Sequence, residues 1–284
     1  ELADCQKMPT GPKIGAETLR KDGFGPEKIF RCFVADDNAN LVGYALYFFN
    51  YSTWEGVNVY LDDLYVTPSH RQQGIGWSWA GTHLLLSSMK LREPLTSHRT
   101  KIGIRVEYLL HRLENMATTR VSVEVTVREA REDDCEGIAT LIQELADYEK
   151  MPTGPKIGAE TLRKDGFGPE KMFRCFVADD NANLVGYALY FFNYSTWEGV
   201  NVYLEDLYVT PSHRQQGVGV RLWKAVAKVA VERNCNRLDW VVLGWNKSSV
   251  EFYEAKGAVN LTQDEDWNLF RLTGDNLKAF ALSC

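Results

Sequence analysis

The sequence predicts an α/β (α+β) fold: a mixed central β-sheet flanked by helices, carried once in complete form and once as a truncated duplicate. Three observations predict it. Apolar periodicity alternates between strand and helix in the order β-α-α-β-β-β-α-β-α-β from Val121 to Thr273. Residues 1–76 recur as residues 144–219 at a constant offset of 143. In the later copy, a long β-branched and aromatic segment passes through a glycine-bearing turn into an amphipathic helix.

The elements of the complete copy follow in order. Alternating valines from Val121 to Val127 predict an opening strand. Asp133 or Asp134 is placed to cap a helix to about Tyr148, with Ile138, Leu141, Ile142 and Leu145 as its apolar stripe. Met151-Pro152-Thr153-Gly154-Pro155 breaks it, and Ala159 to Asp165 reads as a short helix ending at Gly166. Three strands come next: Phe173 to Asp179, Leu184 to Tyr194 and Gly199 to Val209. Pro211 ends the third, and a helix spans about Gly219 to Arg233. Leu238 to Gly244 is a further strand, Ser248 to Lys256 a short helix ended by Gly257, and Trp267 to Thr273 a last strand.

Only five of the 76 repeated positions differ: Cys5/Tyr148, Gln6/Glu149, Ile29/Met172, Asp62/Glu205 and Ile75/Val218. The first copy begins where the second is already inside a helix, and its match stops after Gly76. The expected organisation is therefore a partial duplicate over residues 1–76, an unmatched linker or non-native segment over 77–115, and a complete domain over 116–284. Met116 precedes the opening strand and looks like a natural start, so residues 1–115 read either as an imperfect gene model or as a degenerate segment that packs on the complete domain.

Composition narrows the function classes. A formal net charge of −6 over 284 residues argues against general affinity for nucleic acid, which needs clustered Lys and Arg. It is compatible with a cationic substrate, but the field is weak, and from charge alone an acidic surface kept for solubility is the better reading. Six cysteines and five histidines show neither C-x-x-C pairs nor zinc-finger spacing, so no metal is expected. The thiols read as reduced and mostly buried, which fits the cytoplasm. No apolar run approaches the ~20 residues of a membrane span.

Three constellations carry chemistry. In Arg214-Gln215-Gln216-Gly217-Val218-Gly219, two glycines let the backbone approach a ligand, and main-chain N–H groups at the helix start make an anion site suited to a pyrophosphate. The spacing is neither a dinucleotide fingerprint nor a P-loop, and a turn that merely needs glycine would look the same. Tyr253, early in a short helix after Asn246, is a phenol able to protonate a leaving group, or a core tyrosine beside Phe252. Glu205 and Asp206 are adjacent on a strand, so one faces a cleft while the other makes a structural contact.

The R-x-x-G-x-G turn after a strand resembles the acetyl-coenzyme A pyrophosphate loop of the GNAT superfamily. Glu149, Asp165-Gly166-Phe167-Gly168, Tyr203-Leu204-Glu205-Asp206, Trp245-Asn246 and Phe252-Tyr253 together look like the diamine (spermidine/spermine) N-acetyltransferase family. Tyr194-Ser195-Thr196-Trp197 is similar to its thialysine-preferring branch, and the resemblance covers about residues 121–273. It implies a GNAT fold, acetyl-CoA as co-substrate, a small amine as acceptor and a homodimer with shared active sites. It implies Tyr253 as general acid and Glu205 as the carboxylate facing the amine. Leu207, Tyr208, Val209, Arg214, Gln215, Gln216, Gly217, Val218, Gly219, Val220, Asn246 and Tyr253 would contact acetyl-CoA. Tyr148, Glu149, Glu205 and Glu265 would contact the amine, and Trp197 would wall its channel.

Departures set limits on this resemblance. Polyamine-preferring relatives carry further acidic or polar residues where this chain has Trp240, Val241, Val242, Leu243 and Gly244, which implies a short diamine or a lysine analogue. The first copy keeps Arg71-Gln72-Gln73-Gly74-Ile75-Gly76 but has no counterpart of Asn246 or Tyr253, and is expected to be inert. Protein-lysine acetylation, or an inactive ligand-binding or dimer scaffold, are the competing readings. For the organisation, sequencing the transcript across codons 76–116 is decisive: a continuous expressed frame is expected if the duplicate belongs to the protein, and a break there if it does not.

Overall fold

The computed structural model describes residues 12–71 and 125–262. The first copy comprises helix α1 (Ala16–Phe24) and strands β1 (Arg31–Asp37), β2 (Asn40–Ser52) and β3 (Gly56–Val66), paired as an antiparallel sheet in that order. The second copy comprises β4 (Thr126–Glu129), α2 (Cys135–Tyr148), α3 (Ala159–Phe167), β5 (Arg174–Asp180), β6 (Asn183–Ser195), β7 (Gly199–Val209), α4 (Val218–Glu232), β8 (Leu238–Asp239) and α5 (Lys247–Glu254). Its five strands lie in chain order, β4-β5-β6-β7-β8, antiparallel except for the β7–β8 pair.

Local chemistry accounts for most boundaries. The β5–β6 hairpin turns through Asn181 and Ala182, both at positive φ (50° and 69°), the twist a tight hairpin needs. Within α3, a Cβ on Gly166 would stand 2.5 Å from the Phe173 ring, so the glycine is there for that ring and not as a terminator. The helix accordingly runs past the expected end at Gly166 to Phe167. Asp134 does not cap α2 with its side chain as expected. It accepts from the Arg131 amide (2.6 Å) and forms a two-pronged pair with Arg128, which also reaches Asp179, tying β4 and the turn before α2 to β5. That shared guanidinium holds the Asp134 carboxyl below its usual range.

Two expectations change. The strand expected over Leu238–Gly244 pairs with β7 only at Val202↔Leu238 and Tyr203↔Asp239. Just beyond, β7 carries a bulge: Asp206 faces Leu189 and Leu204 faces Tyr190, leaving Glu205 as the extra residue. A bulge bends and twists its strand, so the two strands separate there. The short helix α5 is also shifted, ending at Glu254 and not Lys256. The expected strand over Trp267–Thr273, and the first four residues of the opening strand, lie outside the described residues.

Helices cover both faces of the second sheet. Ile138, Leu141, Ile142 and Leu145 of α2, with Leu162 of α3, pack on one face against Val177, Tyr187 and Leu189. Val218, Leu222 and Val226 of α4 pack on the other, against Ala188, Val202 and Leu204.

The first copy docks on the second through contacts that come in twins at the offset of 143. The main-chain N–H of Lys13 donates to Trp197, and that of Lys156 to Trp54, each at 2.8 Å. The Phe30 ring lies 4.4 Å from Tyr194, and Phe173 lies 4.6 Å from Tyr51. Lys13 pairs with Glu198 as Lys156 pairs with Glu55, and Arg31 pairs with Glu170 as Arg174 pairs with Glu27. Elsewhere the copies differ. Val59 and Val34 are 63% and 62% exposed, whereas their twins Val202 and Val177 are fully buried on opposite faces of the second sheet, among the residues that α4 and α2 cover; neither helix has a counterpart among the described residues of the first copy.

Leu222, fully buried between α4 and the sheet, tests the packing of that face. Leu222→Ala is expected to lower stability by about 2–5 kcal/mol, read as a shift in urea midpoint without a change in slope.

Candidate active site

The site grows from the bulge. Because β8 leaves after Tyr203, one edge of β7 from Glu205 to Val209 has no strand beside it among the described residues. The carboxylate of Asp206 accepts 2.7 Å from the Tyr187 hydroxyl of β6, and the hydroxyl of Thr53, a residue of the first copy, lies on its other side. Burial raises the Asp206 pKa, and these two hydroxyls oppose the rise.

Two groups feel the Asp206 charge. Glu149, just past the end of α2, is pushed up to about 7 by burial first and by Asp206 second. Tyr253 on α5 has its phenol raised well above the ordinary value, again by burial first and Asp206 second. Like any phenol it is protonated at neutral pH, so it holds a proton to give to a more basic group. The Tyr253 ring is caged by Trp223 (5.1 Å), Trp240 (4.8 Å) and Phe252 (5.1 Å). The Trp223 indole N–H is buried with no acceptor among the described residues. Glu205, half-buried at the bulge, lies next along the strand and adds to the burial that raises the Tyr203 phenol.

The turn after β7 is built for an anion. Its Pro211–His213 segment is a single helical turn, and the Arg214 Nε then donates 2.8 Å to the Val209 carbonyl, closing the end of the strand. Gln215 (φ 61°) and Gly217 (φ 77°) both take left-handed conformations. Nothing lies within 4 Å of a Cβ placed on Gly217, so glycine is required there by backbone conformation and not by crowding. Val218 is buried and starts α4, with Gly219 and Val220 half-buried behind it, while Gln215, Gln216 and Gly217 are exposed. The open amides at the start of a 15-residue helix fit a phosphate group.

Tyr148 links this turn to α5. Arg214 lies over the Tyr148 ring (5.0 Å) and over that of Tyr208 (5.4 Å). The Tyr148 hydroxyl donates to Asn246 Oδ1 at 3.4 Å. That same oxygen accepts from the Ser249 amide and the Ser248 hydroxyl, so Asn246 is the N-cap of α5 and sets the helix that carries Tyr253. A cavity of about 670 Å³ opens between α2 and the turn, lined by Glu144, Tyr148, Tyr208, Pro211, His213 and Arg214.

Of the residues singled out in the sequence, the structure thus brings Glu149, Glu205 and Tyr253 around Asp206, and Tyr148, Asn246 and Arg214 around the turn. Leu207, Tyr208 and Val209 form the edge between the two groups. Trp197 is not there. Its carbonyl is bound by Lys13, and it lies on the first copy. The twin Trp54 lies beside Gly154, in the loop that follows Glu149. Glu265 lies outside the described residues. Thr53 was not singled out, and only its identity with Thr196 in the repeat could have drawn attention to it.

The profile of the "Acetyltransferase (GNAT) family" matches residues 4–78 and 138–258. The chain is 46% identical over 165 residues to a thialysine N-epsilon-acetyltransferase of Bos taurus, covering 55% of this chain and 97% of that protein. It is 38% identical over 149 residues to the enzyme of that name from Caenorhabditis elegans, covering 52% of this chain and 92% of that one. It is 36% identical over 158 residues to spermidine/spermine N(1)-acetyltransferase-like protein 1 of Homo sapiens, covering 53% of this chain and 23% of that one.

The Glu149 pKa gives a stability signature. In the folded chain it is about 7 against an ordinary 4.5, so between those values the native state holds a proton that the unfolded chain has released. Its contribution to stability therefore falls as pH rises from about 4.5 to about 7, and is level above. Glu149→Gln is expected to match the wild type in urea melts at pH 5 and to exceed it at pH 7.5. An equal difference at both pH values would contradict the assignment.

Proposed function

The chain belongs to the acetyltransferase (GNAT) family, and on that premise we propose that it moves an acetyl group from acetyl-CoA to a primary amine of a small diamine, polyamine or thialysine-like substrate. The observation that carries the reading is the grouping of Glu149, Asp206 and Tyr253 beside the unpaired edge of β7. Acetyl-CoA supplies the activated acyl carbon and a thiolate leaving group.

The residues present fit such a co-substrate. The exposed bend at Gln215–Gly217, with the helix start at Val218–Val220, would hold its diphosphate through main-chain amides. A free N–H on the edge from Leu207 to Val209 would polarise the acyl carbonyl. Asn246 would hold α5 beside it, as it does through the Ser249 amide.

A primary alkylammonium has a pKa of about 10.4, so the nucleophile must lose a proton to attack. Glu205, with the charge of Asp206 next to it, would draw in the cation and take that proton, directly or through water. Tyr148 and Glu149 would bind the distal end of the amine. As the new C–N bond forms and the C–S bond breaks, the proton of Tyr253 goes to sulfur, and the second proton shed by the nitrogen restores the Tyr253 phenol through water. The acidic lining favours a small cation over a neutral amine. The free thiols of Cys32, Cys135, Cys175 and Cys235 are compatible with a cytoplasmic enzyme.

The test is a coupled thiol-release assay across putrescine, spermidine, thialysine and a histone peptide. Turnover is expected with the small amines, and turnover with the peptide alone would favour protein acetylation. Tyr253→Phe, which keeps the ring in its aromatic cage, is expected to lower kcat by about 10²–10⁴-fold with acetyl-CoA binding retained by calorimetry. Unchanged turnover would remove Tyr253 as the acid.

A further inference from the structure

We propose, resting on the activity above, that the truncated first copy is a built-in second subunit: its hairpin tip at Thr53–Trp54 completes the active site of the second copy, and the chain works as a monomer with one such site.

The first argument is symmetry. The twin contacts described above pair residue i of one copy with residue j of the other, and j with i. That reciprocity is the mark of a two-fold interface between identical subunits, and here both halves belong to one chain. The interface residues of the first copy, Lys13, Phe30, Arg31, Tyr51, Trp54 and Glu55, are identical to their twins. Three of the five differences between the copies, Cys5/Tyr148, Gln6/Glu149 and Asp62/Glu205, instead fall on the proposed site. The duplicate has kept these docking residues, with Ile29 for Met172 as an apolar exchange packed at the interface, and has changed the chemical ones.

The second argument is geometry. Thr53 is 1% exposed, and its hydroxyl stands beside Asp206 across the interface, where it favours the charged carboxylate. Trp54 lies so close to Gly154 that a Cβ there would stand 2.7 Å from its ring, and the Trp54 carbonyl accepts from the Lys156 amide. The reciprocal hairpin places Thr196 on Asp62 and Asp63 of the first copy, which has no counterpart of Tyr253. The exchange is structurally mutual and chemically one-way.

Thr53 is thus a positioning residue. It favours the charged form of Asp206, around which Tyr187, Glu149, Tyr253, Cys175 and Tyr203 gather, with Glu205 next along the strand. Removing a hydroxyl that favours that charge raises the carboxyl pKa.

The experiment uses the full chain. Sedimentation is expected to give the mass of one chain, with one acetyl-CoA bound per chain and turnover per chain constant on dilution. Thr53→Val is expected to lower kcat/KM by about tenfold and to move the acid limb of its pH profile up by about one unit, with Thr53→Ser restoring both. Thr196→Val deletes the twin hydroxyl and is expected to change kcat/KM by less than about twofold at a similar melting temperature. If Thr53→Val does not fold, Gly154→Ala puts a methyl group where the Trp54 ring lies, and should lower kcat/KM with acetyl-CoA binding intact. Equal effects of the two threonine substitutions, or a dimer whose dissociation abolishes turnover, would overturn the proposal. A wild-type chain with no turnover on any amine would instead sink the proposed function.

Discussion

A carboxylate placed where water is scarce must be given donors, or it will take up a proton or unfold its surroundings. Asp206 is that group here. The two hydroxyls that favour its charge come from opposite origins: Tyr187, which donates to it, from the neighbouring strand of its own sheet, and Thr53 from the duplicated segment. The charge that results adds to burial in raising both Glu149 toward neutrality and the Tyr253 phenol. Fold, site and interface therefore meet at a single side chain, and a change at any of the three is felt by the other two.

The bulge at Glu205 is the backbone counterpart of that arrangement. Without the extra residue, β7 would continue its ladder and Asp206 would exchange faces with its neighbour. With it, β7 bends away from β8 after only two paired positions, and a stretch of main chain is released from sheet hydrogen bonding. The same strand then ends in the turn that Arg214 closes and Gly217 permits. One strand supplies an acidic residue, free main-chain groups and the approach to an anion site, in that order along about ten residues.

Duplication explains features that a single domain would not need. The first copy exposes Val34 on one face of its sheet and Val59 on the other, while their twins are fully buried, so each face is only partly covered among the described residues. Much of its apolar burial comes from the second copy, through Phe30 against Tyr194 and Tyr51 against Phe173. Aromatic pairs at such distances contribute about 0.5–1.5 kcal/mol each beyond their buried area, which helps to hold a segment that lacks a full core.

What could be read from the sequence is what local physics decides. Strand β7 runs from Gly199 to Val209 as its β-branched pattern requires, and α4 begins one residue before the predicted Gly219. The turn at Arg214–Gly219 was legible because Gly217 needs a backbone that only glycine adopts freely. Tyr148, Glu149, Asn246 and Tyr253 could be named from motifs, though motifs do not say that Asn246 caps the helix of Tyr253 or that Asp206 sits between Glu149 and Tyr253. Tertiary structure alone decided that Asp134 turns to Arg128, that β8 stops at Asp239, and that Trp197 lies on the other copy while Trp54 lies beside Gly154. Each of these depends on a partner far away in the chain, and periodicity reports only which face a residue shows, not which distant side chain will meet it.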